Sequence, residues 1–378
     1  MDFALDETSE QIRDLARDFA ENELAPRMAE IDDAHQHPWD IFHKFAELGF
    51  YGIIFPEEMG GLDLDFLTWA IVLEELSRGC FNSGLMASVH TMATNATFKW
   101  GSDYLRNKYV PPAIAGEKLF AFALSEPDYG SDAASIKTRA VKKGNGYVLN
   151  GTKAWITFGE AADFVLVMTT IDPSLRGKGI TAFVVEKGWK GLSFGEPEKK
   201  MGGNGLLLSQ IHFDDVFVPE ENRVGDEGDG LKIALASLDG GRIGIAANAT
   251  GVMRRAFEES MDYAKQRVQF GTEIINFQVT QFKFADMVSK IEASQLLHRK
   301  AAWLKGKNLP CVKEASIAKM FATDRAMEVC SEAIQIMGAC GYMQDYPVER
   351  LLRYIKCTQI FEGTNEIQRI VIARELMK

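Results

Sequence analysis

Glu362 and Gly363 are the residues of this chain best placed to do chemistry. They follow an apolar run (Tyr354, Ile355, Ile360, Phe361) and precede a helix-like stretch (Ile367, Ile370, Val371, Ala373, Leu376). A carboxylate held at an apolar wall is disfavoured in its charged form, so its pKa is expected to rise towards neutrality, where a general base works. Gly363 lets the backbone approach a ligand closely, and Thr364 suits the N-cap of the helix that follows. Taken alone, Glu362 is equally a helix-start carboxylate that only favours the dipole.

Four other segments carry candidate chemistry. In Phe122-Ala-Leu124-Ser125-Glu126-Pro127-Asp128-Tyr129-Gly130-Ser131-Asp132, a strand ends at Ser125 and proline and glycine force a turn. The exposed hydroxyls and N–H groups suit the polar edge of a flavin ring, although any strand-to-loop junction has this look. In Lys153-Ala154-Trp155-Ile156-Thr157, regular strand alternation puts Trp155 and Thr157 on one face. That pair could pack on a flavin and hydrogen-bond it, or be a core tryptophan beside a surface threonine. Leu238-Asp239-Gly240-Gly241-Arg242 lies in a helical pattern. Paired helix glycines cost about 1 kcal/mol each relative to alanine, which suggests close approach by another group. Arg267-Val-Gln-Phe270-Gly271 with Gln278, and Gln335-Ile-Met-Gly338-Ala339, offer an arginine suited to phosphate and a glycine loop, or a surface arginine and a helix end. No Gly-rich phosphate loop of the GxGxxG or GxxxxGK[ST] kind is present.

Together these segments resemble the acyl-CoA dehydrogenase family, over essentially the whole chain. The resemblance implies that Glu362 removes the pro-R α-proton of an acyl-CoA thioester while the β-hydride passes to the N5 atom of FAD. The thioester oxygen would be held by the Glu362 N–H and a ribityl hydroxyl. It also implies that Phe122, Leu124, Ser125, Ser131, Trp155, Ile156 and Thr157 meet the flavin, Ser131 touching the pantetheine as well. Asp239, Arg242 and Gly363 are implied at the substrate, and Thr364 and Glu366 at the cofactor. Arg267, Phe270, Gln278, Gln335, Gly338 and Ala339 are implied to reach the FAD of a neighbouring subunit, with the arginine at the pyrophosphate. Some relatives carry the catalytic glutamate at the position of Gly241; glycine cannot be a base, which leaves Glu362. Two positions depart from the family pattern, Asp128 and Ala339, where glycine is usual, and the Ala339 methyl is expected to shift the backbone locally.

The elements that must position these groups are read from texture. Residues 1–118 read as helices, with Thr8-x-x-Gln11 resembling a capping box, helices over Phe66–Leu76 and Ser88–Trp100, and Pro111-Pro112 closing the part. Residues 119–226 hold short β-rich runs separated by turn residues, Asn150-Gly151 among them, which suggests a β-barrel or sandwich. Residues 227–378 return to long helical patterns, approximately Leu231–Gln266, Gln278–Lys305, Val312–Met337 and Val348–Met377, read as an antiparallel four-helix bundle. The fold class is therefore α+β multidomain, in the order helical, β, helical, as in the family.

Composition bounds the function. A net charge of −11 over 378 residues argues against a nucleic-acid surface. Five cysteines without CxxC spacing fit reduced thiols, and six scattered histidines predict no metal site. No apolar run approaches the ~18 residues of a membrane span. The start of the chain shows no leader pattern, so the expected location is the bacterial cytoplasm, or the mitochondrial matrix for a processed form. The resemblance implies a homotetramer, a dimer of dimers, passing electrons to an electron-transfer flavoprotein. The rivals are altered chemistry in the same family (acyl-CoA oxidase, enoyl-CoA reductase or desulfinase) and a non-catalytic flavin-binding member. In the family, the cation that pairs a distal carboxylate comes from the first domain's helical segment, here Gly79 to Phe98, which has no lysine or arginine; the resemblance therefore implies an uncharged acyl chain of about four carbons, straight or branched.

Overall fold

The computed structural model describes residues 4–378. Its first helix, α1 (Glu7–Phe19), starts at Asp6, whose side chain accepts from the Ser9 N–H at 2.7 Å. Thr8 already lies inside the helix, so the cap is this single aspartate and not the Thr8–Gln11 pair. Two short helices follow, α2 (Met28–Asp33) and α3 (Trp39–Glu47). Asp65 caps α4 (Phe66–Gly79) through the Thr68 N–H at 2.8 Å, and extended Cys80 alone separates it from α5 (Phe81–Trp100). Both are buried nearly all round, as apolar sequence without a polar face requires. Pro111 and Pro112 lie within α6 (Asp103–Ile114) instead of closing it; the carbonyls they leave without a donor belong to the exposed Asn107 and Lys108, and the helix ends two residues later.

The middle part is one mixed eight-stranded sheet. Its strands are β1 (Phe120–Ala123), β2 (Arg139–Lys143), β3 (Gly146–Thr157), β4 (Phe164–Thr170), β5 (Ile180–Glu186), β6 (Leu192–Phe194), β7 (Leu208–Pro219) and β8 (Arg223–Val224). The order is β6-β7-β3-β2-β4-β5-β8, with β1 parallel to β4. Every residue of β4 is buried, which is why its sequence is a continuous apolar run. Asn150-Gly151, expected as a turn, is an irregularity inside β3. Gly151 at φ +146° passes so close to Thr138 that a side chain would not fit, and the two runs around it fuse into one strand.

The remaining elements are α7 (Gly230–Gln266), the small hairpin β9 (Val268–Gln269) and β10 (Thr272–Glu273), α8 (Gln278–Gly306), α9 (Val312–Met337), α10 (Ala339–Tyr342), α11 (Val348–Thr358) and α12 (Asn365–Leu376). The long helix α7 packs against α4, α5, α8 and α9, joining the two helical parts in one core. The last expected helix, Val348–Met377, is broken into α11 and α12. Glu362 and Gly363 take φ of +52° and +88°, which no α-helix accommodates, and the break presents Glu362.

Candidate active site

The turn between α11 and α12 is built from its carbonyls outwards. Gln368 Nε2 donates to the Glu362 carbonyl at 3.1 Å and to the Gly363 carbonyl at 2.8 Å. From α9, Lys319 Nζ donates to the same Gly363 carbonyl at 2.8 Å and to Asn365 Oδ1 at 2.9 Å. Thr364 caps α12 by accepting from the Ile367 N–H at 3.3 Å, the N-cap role expected of it. A left-handed conformation at a non-glycine residue costs roughly 1–3 kcal/mol, and these five bonds over-determine it at Glu362.

The carboxylate of Glu362 turns inwards. Its Oε2 is buried and meets no hydrogen-bond partner among the described residues. Desolvation pushes its pKa up to about 7, against the opposing pull of the nearby Lys319 and Arg242 charges. The Glu362 N–H has no acceptor within the described residues. A half-ionised, unpartnered carboxylate and a free N–H from the same residue can together take a proton and bind an oxygen.

Room for this carboxylate is made by α7. A methyl group at Gly241 would overlap Glu362 Oε2, and would stand 2.8 Å from Glu362 Cδ and 2.9 Å from Met92 Sδ. One residue on, Arg242 is buried, and its Nη1 donates to Asp239 Oδ1 at 2.8 Å. Burial holds the Asp239 pKa above its ordinary value, with Arg242 opposing. Arg242 is thus no solvated helix arginine; it brings a paired positive charge to the same wall as Glu362.

A second wall comes from β1 and β3. Phe122 is half-buried, Leu124 is 8% exposed, and Ser125 accepts from the Ala154 N–H at 2.9 Å, which ties the loop to β3 beside Trp155. Trp155 is 53% exposed at φ +56°, in a bulge where the β3–β7 register shifts between Lys153 and Ile156. Burial still alternates past the bulge, with Trp155 exposed, Ile156 buried and Thr157 half-buried, as the expected shared face for Trp155 and Thr157 requires. Thr157 is half-buried, and the Ile156 side chain is taken up by the core. Ser131 is exposed on the following loop; Asp128 is exposed too and needs no left-handed backbone, so the absent glycine costs nothing there. The bulged, exposed indole beside Phe122, Leu124 and the loop's N–H groups fits a large flat ring with a polar edge.

The other expected residues gather elsewhere, around the β9–β10 hairpin and the α9–α10 junction. Phe270 is 95% exposed at φ +53° at the hairpin tip, next to Phe277 with ring centroids 6.3 Å apart. Arg267 lines a cleft of about 380 Å³ with Glu259, Asp262, Tyr263, Met337 and Tyr346. Gln278 and Gln335 are exposed, and Glu366 is exposed on the first turn of α12. Gly338 takes φ +60° and ψ −134°, a conformation suited to glycine, whereas Ala339 begins α10 with ordinary backbone. The expected local shift is not needed: the residue that must be glycine still is.

Three buried side chains were missed. Lys319 is fully buried, and desolvation lowers its pKa to about 8. It lies on the stripe of Ala315, Ala322 and Ala326 that faces the core, a placing that the packing shows and a lysine among alanines does not. Lys153 and Glu126 form a buried pair at 2.8 Å, and Lys153 Nζ also donates to the Leu124 carbonyl at 2.9 Å. Glu126 further accepts from the N–H groups of Lys137 and Thr138 at 2.6 and 2.9 Å. These bonds fix the loop that carries Ser125.

Three family models match, described as the N-terminal, middle and C-terminal domains of acyl-CoA dehydrogenase, at residues 6–117, 121–216 and 228–377. The short-chain specific acyl-CoA dehydrogenase of Clostridium acetobutylicum is 42% identical, covering 100% of both chains. The acryloyl-CoA reductase (NADH) of Anaerotignum propionicum is also 42% identical, covering 100% of this chain and 96% of its own. The structure of butyryl-CoA dehydrogenase from Megasphaera elsdenii superposes with a TM-score of 0.98 at 40% identity, covering both chains fully. A chain from the structural study of the electron transferring flavoprotein of Acidaminococcus fermentans gives 0.98 at 44% identity, again with full coverage.

Proposed function

The chain belongs to the acyl-CoA dehydrogenase family, and from that premise we propose that it oxidises a short, uncharged acyl-CoA to its trans-2-enoyl thioester with Glu362 as the base. One observation carries the reading: a buried, unpartnered carboxylate with a pKa near neutrality, admitted by a glycine on the facing helix. Its free Oε2 is the acceptor for the α-proton. Its own N–H is a donor for the thioester oxygen, so the group that takes the proton also helps to acidify it. Asp239 and Arg242, held rigidly as a pair, line the approach of the pantetheine.

The cofactor is FAD. The wall of Phe122, Leu124, Ser125 and Trp155, with Ser131 and Thr157 alongside, fits its isoalloxazine, and Arg267, Phe270, Gln278, Gln335, Gly338 and Ala339 are proposed to meet the FAD of a second subunit. Bound FAD supplies the two-electron acceptor for hydrogen leaving the β-carbon. A phenylalanine in strained backbone that meets Phe277 yet stays almost wholly exposed in its own subunit supports a homotetramer arranged as a dimer of dimers. Electron-transfer flavoprotein is the proposed acceptor, and the cytoplasm or a mitochondrial matrix the proposed location. The three segments 1–118, 119–226 and 227–378 are proposed as the domains.

Chain length and charge follow from α5. His90 is buried, donates from Nε2 to the Ala113 carbonyl at 2.9 Å and accepts from the Phe120 N–H at 3.1 Å. Desolvation lowers its pKa to about 4, so it stays neutral. With no other basic group between Arg78 and Lys99, the stretch Gly79–Phe98 offers nothing to pair a distal carboxylate. Met92 meanwhile narrows the space beside Glu362.

Glu362→Gln tests the assignment. It should keep FAD and lose acyl-CoA oxidation by on the order of 10³-fold; more than a tenth of the wild-type rate with flavin intact would remove Glu362 from the role. The equal identity to an enoyl-CoA reductase favours one second reading, the reverse direction, with protonated Glu362 as the acid. Reduction of a short enoyl-CoA by NADH, faster than acyl-CoA oxidation with an artificial acceptor, would select it.

A further inference from the structure

We propose that Lys319 is a positioning residue for Glu362: it holds the left-handed turn that presents the carboxylate and supplies the buried charge that favours its ionised form. The inference rests on the reading of Glu362 as the base and extends it to a group on a different helix.

The bonding pattern carries the argument. Lys319 is fully buried on α9, yet both its acceptors are neutral, the Gly363 carbonyl and Asn365 Oδ1. A buried ammonium without a bonded carboxylate is costly unless an anion lies close by. The nearby carboxylates are not equal candidates. Asp324, also on α9, is committed to Arg369 at 3.2 Å and to the side-chain amides of Asn365 and Gln359 at 2.7 Å each. Glu366 on α12 is exposed, where solvent screens it. Glu362 is the one whose Oε2 is buried and unpartnered.

From α7, Arg242 is the other cation facing Glu362, but it is neutralised by its bond to Asp239. The charge of Lys319 is not cancelled in this way. It acts on Glu362 across the turn it holds, without the direct ion pair that would make the carboxylate a poorer base.

The pH dependence separates this role from mere packing. In wild type, Glu362 near 7 and Lys319 near 8 titrate as an interacting pair. Without the lysine charge, the burial of Glu362 is opposed only by the paired Arg242, and its pKa rises. Lys319→Met removes charge and donor; Lys319→Gln keeps a donor for the Gly363 carbonyl and removes the charge only. Either should move the acid limb of the rate profile up by about one pH unit, a loss of about five-fold at pH 7 that is recovered towards pH 9. Lys319→Arg should return the limb to its wild-type position even if its plateau is lower.

Infrared difference spectroscopy of the holoenzyme follows the protonated carboxyl band of Glu362, identified by its absence in Glu362→Gln, and needs no turnover. The midpoint of that band should move with the rate limb. A folded neutral variant whose infrared midpoint stays at the wild-type value overturns the inference, as does an arginine variant displaced as far as the neutral ones. A moved infrared midpoint with an unmoved rate limb would instead sustain the lysine's role and indict Glu362 as the base.

Discussion

A base made by burial should weaken the protein that carries it, and Glu362→Gln measures by how much. The carboxyl has a pKa of about 7 in the folded chain and an ordinary value of 4.5, so the folded state holds its proton more tightly. Its contribution is therefore most favourable below pH 4.5. It is lost progressively as pH rises towards 7, and the full cost is present above that. The gap is worth about 3 kcal/mol at 1.36 kcal/mol for each tenfold change. Glutamine carries no charge to desolvate, and the variant should be the more stable protein above pH 7. Part of the gain is returned, because Lys319 loses a neighbouring anion; a net of about 1–3 kcal/mol is expected. Urea unfolding of the two holoproteins, at one protein and FAD concentration and between pH 5 and 8.5, gives the difference directly. The inactive variant should gain on wild type from pH 5 to a little above pH 7 and then hold that gain. A difference flat in pH, or one of the opposite sign, would refute the claim that the carboxylate is held ionisable by desolvation.

Other sites give sharper and smaller tests. Gly241→Ala should fold, because the overlapping atom ends a side chain that can rotate away, but should lose at least about 100-fold in activity by displacing the base; near-wild-type turnover would mean that the Glu362 seat is not needed. Arg242→Ala leaves the half-buried Asp239 without its bonded cation, and a loss of about 3 kcal/mol in chemical unfolding is expected, against near zero if the pair is solvated. Lys153→Met should free the loop that carries Ser125 and weaken FAD retention in gel filtration, while leaving the Glu362 infrared midpoint in place. Light scattering should give a tetramer for the FAD-bound protein, and a stable monomer at full FAD occupancy would leave Phe270 without its proposed role. Across a panel of C3 to C16 acyl-CoAs, anaerobic flavin bleaching should peak at about four carbons, with glutaryl-CoA turned over poorly; an optimum at C12 or beyond would contradict the pocket assigned to α5.

What could be read from sequence was what repeats or what interrupts a repeat. Apolar periodicity located α7, α8 and α9 to within a residue or so, because each must bury a stripe along its whole length. Gly241 was legible as an opening because glycine in a helix is a cost that something must justify. The misreadings share one cause: they lie where a single residue overrides the local pattern. Gly151 turns an apparent loop into a strand. Glu362 and Gly363 split what reads as one continuous helix, and the split is what presents the carboxylate. Lys319 was hidden for the opposite reason, since a lysine among alanines reads as a helix surface until the packing shows that its stripe faces inwards. The site therefore joins a residue that breaks its helix to one that contradicts its helix face. Each is unfavourable alone, the first in backbone strain and the second in desolvation, and the bond from Lys319 Nζ to the Gly363 carbonyl lets the two costs offset each other.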